Sequence, residues 1–282
     1  MKKLLVFAFA LTLMFSVNAQ IETPAPSPAA KITQVVGLTD VSIDYSRPSM
    51  RGRKIFGDLV PYGKLWRTGA NARTKVTFSD NVTVGGKELK AGTYAIFTIP
   101  QAKSWDVVFY TEHAGGGAPA ELDTSKVAAR VTADVFPIEM DINSFTISID
   151  DITNHSAVIG MMWEKTYVGV EFKVPTEAKV AASIEQTMSG PSANDYFSAA
   201  VYNLQENKDM DKAMMWIDKA VDMTKAQPRF WFLRQQSLIH AANGDKKGAI
   251  AAAKKSLEGA KTAKNDDYIK MNMDSLKEWG AM

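Results

Sequence analysis

The sequence predicts an α+β protein of two domains, an antiparallel β-sandwich or barrel followed by an all-α helical repeat. Three observations predict it. Apolar and polar residues alternate from about residue 32 to residue 174, the alternation stops at Pro175, and the rest of the chain matches itself at an offset of 36 residues. A period of two gives a half-buried strand one set of side chains on each face. Self-similarity at a fixed period of about 20–50 residues marks stacked helical units.

The first residues read as a processing signal. Lys2 and Lys3 precede an apolar run from Leu4 to Phe15, and Val17-Asn18-Ala19 offers a small-residue cleavage site before Gln20. Residues 1–19 are therefore expected to direct export, with cleavage near Ala19 and delivery to the periplasm or the medium. The run is shorter than the ~20 apolar residues of a membrane span, and no later run is longer, so no transmembrane span is expected. Losing Lys2 and Lys3 from 33 basic residues leaves 31, equal to the 31 acidic ones. A neutral processed chain has no global attraction for nucleic acid or anionic lipid. The chain has no cysteine, which excludes disulfides, zinc thiolates and thiol nucleophiles. Residues 20–30, with Pro24, Pro26 and Pro28, read as an extended tether.

Residues 31–175 carry the strands. Alternation is clearest at Val41/Ile43/Tyr45, Val76/Phe78, Val82/Val84, Tyr94/Ile96, Phe145/Ile147/Ile149 and Val168/Val170/Phe172/Val174. Gly85-Gly86 lies between two of these runs and predicts a hairpin turn. Many short strands without an intervening helical pattern favour a sandwich or barrel. The run Gly115-Gly116-Gly117-Ala118-Pro119 is expected to form a weakly ordered loop.

Residues 176–190 read as a linking helix stopped by Ser189-Gly190-Pro191. In residues 191–282 the offset aligns Phe197 with Leu233 and Ile269, Leu204 with His240 and Leu276, Ala213 with Ala249, Ile217 with Ala253 and Ala220 with Ser256. Asn207-Lys208-Asp209 and Asn243-Gly244-Asp245 share one phase, where the turn of a helix pair belongs. The pattern is that of two and a half tetratricopeptide-like units, small residues allowing close helix approach.

One stretch is distinctive: Asp44-Tyr45-Ser46-Arg47-Pro48, Gly52-Arg53, Val60-Pro61-Tyr62-Gly63 and Trp66-Arg67-Thr68-Gly69-Ala70-Asn71, with Ala91-Gly92-Thr93-Tyr94 downstream. From about Ser27 to Val174 the chain resembles a family of exported bacterial proteins catalogued only as a domain of unknown function. The resemblance implies export, a β-rich fold and a C-terminal tetratricopeptide-like tail. It implies no catalytic residue.

The same stretch supplies candidate ligand contacts. Guanidinium groups fork onto carboxylates or phosphates, and aromatic faces stack on sugars or cations. Tyr45, Arg47, Arg53, Trp66, Arg67 and Asn71 are the candidate site, for an acidic small molecule or a glycan. The competing reading is that these side chains tie loops to backbone carbonyls around turns set by Pro48, Gly52, Pro61 and Gly63. Metal binding has little support, since His113, His155 and His240 lack any ligand spacing; no metal or cofactor is expected. There is no Gly-x-Ser-x-Gly elbow, and Asp150-Asp151 or Glu121 with Asp123 default to surface turns. The expectation is a non-enzymatic envelope protein that binds a ligand through its β domain and a protein or peptide through its helices. An envelope- or glycan-directed hydrolase with unidentified acid residues and a structural assembly factor stand as alternatives.

Overall fold

A computed structural model describes residues 23–188 and 190–281. The signal segment and the start of the tether lie outside the described residues. The described chain forms two compact units divided between Thr176 and Glu177.

The first unit contains nine strands among the described residues: β1 (Ala29–Val36), β2 (Thr39–Ser46), β3 (Lys75–Phe78), β4 (Val82–Val84), β5 (Lys87–Leu89), β6 (Gly92–Pro100), β7 (Ser104–Tyr110), β8 (Val127–Asp150) and β9 (Ser156–Lys173). They pair antiparallel in the order β1-β2-β3-β6-β7-β8-β9-β4-β5. The sheet is open, with β1 and β5 as its edges, so the expected alternative of a barrel does not form.

Strand β8 explains how an open sheet encloses a core. Its first part, to Asp134, pairs with β7, and from Val135 onward it pairs with β9. The register shifts between Pro137 and Ile142 and again before Thr146, the irregularities by which a strand bends and changes partner. The two halves of the sheet then bury one shared core. Val41, Ile43, Val76, Phe78 and Trp105 come from one half, and Val84, Phe145, Ile159, Trp163 and Phe172 from the other. The β4–β5 turn is as the sequence predicts: Gly85 and Gly86 have φ of 55° and 78°, which a two-residue hairpin of this twist requires. A Cβ on Gly85 would also lie 2.5 Å from Val131 Cγ2.

The second unit holds six helices: α1 (Thr176–Thr187, its first residue counted with the β unit), α2 (Ala193–Gln205), α3 (Met210–Met223), α4 (Phe230–Ala242), α5 (Lys246–Thr262) and α6 (Asp266–Glu278). The predicted linking helix is α1, and Glu177 near its start pairs with Lys208 in the α2–α3 turn at 2.5 Å. The aligned residues occupy equivalent places, since Ala213, Ile217 and Ala220 of α3 and Ala249, Ala253 and Ser256 of α5 are all fully buried. The shared turns work alike as well. Asp209 and Asp245 cap the following helices by accepting from the Lys212 and Gly248 amides.

Candidate functional site

The motif stretch is built from the end of β2 into the loop between β2 and β3. Past Ser46 the chain keeps pairing, now with β8: Phe145 N donates to Pro48 O and Met50 N to Asn143 O, at 2.9 and 2.7 Å. This fixes the loop as a cap over one end of the core.

Each candidate residue has a definite place. Tyr45 is buried, and its hydroxyl bonds both backbone groups of Ile147 in β8. Arg47 donates to Phe145 O at 3.1 Å and Thr146 Oγ1 at 2.7 Å. Arg53 folds onto its own turn, donating to Met50 O and Ser49 O. Trp66 enters an aromatic cluster, stacked on Trp163 at 5.8 Å and edge-on to Phe56, Trp105 and Phe145. Asn71 donates to Ser27 O at 3.0 Å. Arg67 is half-buried and has no hydrogen bond or ion pair among the described residues.

The structure therefore commits Tyr45, Arg47, Arg53 and Asn71 to the chain's own backbone rather than gathering the six side chains in one cleft. Arg47 N, Arg51 Nη2 and Asn71 Nδ2 fasten Pro28 O, Pro26 O and Ser27 O. The C-terminal end of the proline-rich segment is thereby pinned where it enters β1. Guanidinium groups that already donate to buried or loop carbonyls have fewer hydrogens to offer a ligand.

Arg67 is different because of the backbone that follows it. Thr68 is fully buried with φ of 58°, a conformation unfavourable for a β-branched residue. It is held by its own hydroxyl on Thr98 Oγ1 at 3.1 Å and by Thr74 Oγ1 donating to Thr68 O at 2.5 Å. Upstream of this bend Trp66 pairs with Thr98 through both backbone groups and sends its ring into the core. Arg67 instead lies against the glycine loop, its Nη1 3.9 Å from where a Cβ on Gly117 would stand.

That loop is more firmly held than expected. Arg73, which the sequence reading passed over, donates to Gly117 O and Glu112 O and lies over the Phe97 ring at 5.5 Å. Glu112 also pairs with Lys126, whose ammonium, through its hydrogen bond, holds the Glu112 carboxyl below its usual range. Spacing alone gave one hint of Arg73: it stands two residues past Asn71, at the entry to β3.

Of the carboxylates Asp150, Asp151, Glu121 and Asp123, Asp150 and Asp123 have partners of their own. Asp150 accepts from Ser148 Oγ at 2.7 Å and Tyr167 Oη at 3.2 Å. Burial, with Asp150 beside it, pushes the Tyr167 phenol up to about 12. Asp123 caps the 3-10 turn Thr124–Lys126. Among the described residues no group of three or more His, Asp or Glu side chains is placed to hold a metal ion.

The helical unit holds an open groove of about 930 Å3 between α3, α4 and α5. Val221, Pro228, Phe230, Trp231 and Leu233 line it with apolar surface, and Gly259 admits Phe230, since a Cβ there would come within 2.8 Å of the Phe230 Cβ. Trp231 remains 39% exposed. The aromatic run Phe230-Trp231-Phe232 after Pro228, which the reading of the sequence does not single out, is the one local feature that could have pointed here.

With this geometry in place, a family match decides the membership. Residues 27–172, more than half of the 282, match the family described as protein of unknown function DUF2911. The chain belongs to this family. The DUF2911 match takes in the motif loop, the aromatic cluster and the glycine loop, and it ends before the helical unit begins. No curated protein and no solved structure matches the chain.

Proposed function

We propose that this DUF2911 protein is exported and works by recognition, its β unit serving as a braced framework and its helical groove receiving an apolar peptide segment of a protein partner. The observation that carries this reading is Trp231, exposed above a groove floored by Val221, Pro228, Phe230 and Leu233. Apolar surface left open beside a polar rim is a common mark of a docking site. The rim carries both signs of charge, with Asp218, Asp222 and Glu258 near Lys225, Arg229 and Lys255. A segment with an apolar centre and mixed flanking charge fits it better than a strongly acidic or basic one. The occupied Asp150 carboxylate and the core position of Trp66 support recognition over hydrolysis.

Selection of a displayed peptide library on the protein tests the groove. Enriched peptides are expected to share an apolar centre and to bind Trp231→Ala at least tenfold more weakly, with the melting temperature unchanged. Equal binding to both proteins, or no enrichment, overturns the reading. Export is tested separately by expressing the chain in a bacterial host and sequencing the product outside the cytoplasm. A mature N-terminus at Gln20 is expected, and an unprocessed cytoplasmic chain refutes it.

A further inference from the structure

The arginines of the β unit's motif region divide sharply by what they donate to. Arg47, Arg51, Arg53 and Arg73 each donate to at least one backbone carbonyl. Arg67 donates to nothing among the described residues, although it is half-buried. Its guanidinium nitrogens keep access to solvent, so they can take an anion from solution as their partner.

The surroundings favour an anion. The glycine loop runs past two guanidinium groups, with Arg67 Nη1 3.9 Å from the Cβ position of Gly117 and Arg73 Cζ 3.9 Å from that of Gly115. A side chain at Gly117 would crowd the Arg67 guanidinium, while the Arg73 side chain is already only 10% exposed beneath the loop. Arg73 has only part of its charge offset, by Glu112 at 3.7 Å, a carboxylate it shares with Lys126. Of its donors, Nε and Nη1 are used, and Nη2 makes no bond among the described residues. The buried hydroxyls of Thr68, Thr74 and Thr98 hold the bend next to Arg67, so the backbone that carries the side chain is fixed before any ligand arrives.

We propose that Arg67, beside Arg73 and across the Gly115–Gly117 loop, is the binding site for a small oxyanion, a carboxylate or phosphate group carried by a solute or a sugar. Arg67 supplies the forked contact, Arg73 adds field and one further N–H, and the loop amides are near enough to report occupancy. This site is independent of the helical groove, and the failure of either leaves the other standing.

Backbone amide NMR of the protein, titrated in separate arms with inorganic phosphate and with sodium glucuronate, tests the proposal. At least one arm should shift the amides of Gly115, Gly116 and Gly117, and Arg67→Gln should weaken that response at least tenfold. Response to phosphate alone assigns a phosphate group, to glucuronate alone a carboxylate, and to both an oxyanion site without preference. Arg67→Gln should melt at the temperature of the unaltered protein, because it removes no internal bond, whereas Arg73→Gln should melt lower. Silence of the loop amides in both arms, an undiminished response in Arg67→Gln, or a melting loss in Arg67→Gln equal to that of Arg73→Gln overturns the site.

Discussion

The two units solve the same problem, burying backbone and side chains from water, with opposite materials. The β unit uses large side chains and long reach. Trp66, Phe56, Trp105, Phe145 and Trp163 interlock, and Arg47 bonds residues 98 and 99 positions away. The helical unit relies more on small side chains and short polar links, around one stacked pair, Phe197 on Phe232 at 4.2 Å. Alanines, Ile217 and Ser256 fill the α3 and α5 contact positions, and α4, α5 and α6 join through Arg234 to Ser275, Asn272 to Ser256, and Ser256 to Phe230 O. Interlocked aromatics admit one arrangement, because any shift opens voids. Small residues with exposed methionines, such as Met215 and Met223, tolerate repacking. These two constructions suit the roles proposed above, a fixed frame behind Arg67 and a helical surface able to adjust to a peptide.

The largest expected effect tests the interlocked half. Trp66→Ala removes a ring that touches four other aromatics, and large-to-small changes of this kind cost about 3–5 kcal/mol. Denaturant unfolding of the β unit, followed by the emission of its remaining tryptophans, should show a loss of that order. A loss below about 1 kcal/mol would mean that the ring lies on a yielding surface, and the contrast between the units would fail.

A smaller loss is expected in the helical unit. Asn272 is fully buried and donates to Ser256 Oγ and Tyr268 O, while its Oδ1 has no partner. Asn272→Ala should cost about 1–3 kcal/mol, the usual penalty for stranding a buried hydrogen-bond partner. It falls short of the Trp66 loss because the unpaired Oδ1 was already a cost. Hydrogen exchange in α5 and α6 measures it, and protection losses larger than those from Trp66→Ala in its own strands would reverse the ranking.

How much of this was legible in the sequence depends on the range of the interaction. Alternation located β2, β3, β4 and β6, Gly85-Gly86 marked the hairpin, and the 36-residue offset put Ala213 and Ala249 in equivalent buried positions. Those are local signals, fixed by periodicity and turn geometry. Strand β8 was only partly legible, since Pro137 and the acidic residues Glu139 and Asp141 interrupt its pattern where it changes partner. The candidate site was the least legible part. An arginine suits a carbonyl oxygen and an anion equally well, and the acceptors of Arg47 lie in a strand about a hundred residues downstream. Sequence lists donors; only the fold shows which of them, here Arg67, remains uncommitted.

The smallest effect concerns the one histidine that links three helices. His240 in α4 meets Asp218 of α3 through Nε2 at 2.8 Å and Asp245, the cap of α5, through Nδ1 at 2.7 Å. Gln236 also bonds Asp218, and Lys247 lies near enough to act on Asp245. Burial opposes the imidazolium charge, but the hydrogen bonds to the two carboxylates outweigh it and raise the His240 pKa above 6.5. A raised folded value means that the stabilisation is complete below the unfolded value near 6.5 and is lost as pH climbs through the folded one. The Asp245 carboxyl is lowered by the Gly248 amide first and by His240 second, so its share appears above its usual range and fades as pH falls. The link is therefore strongest at mildly acidic to neutral pH. His240→Gln keeps one bond at most and should lower protection of α4 and α5 by about 1 kcal/mol near pH 6, with the difference shrinking toward pH 9. A deficit that stays constant from pH 6 to pH 9 would show that the ring packs without its charge, and the helical unit would then rely less on polar links than the contrast requires.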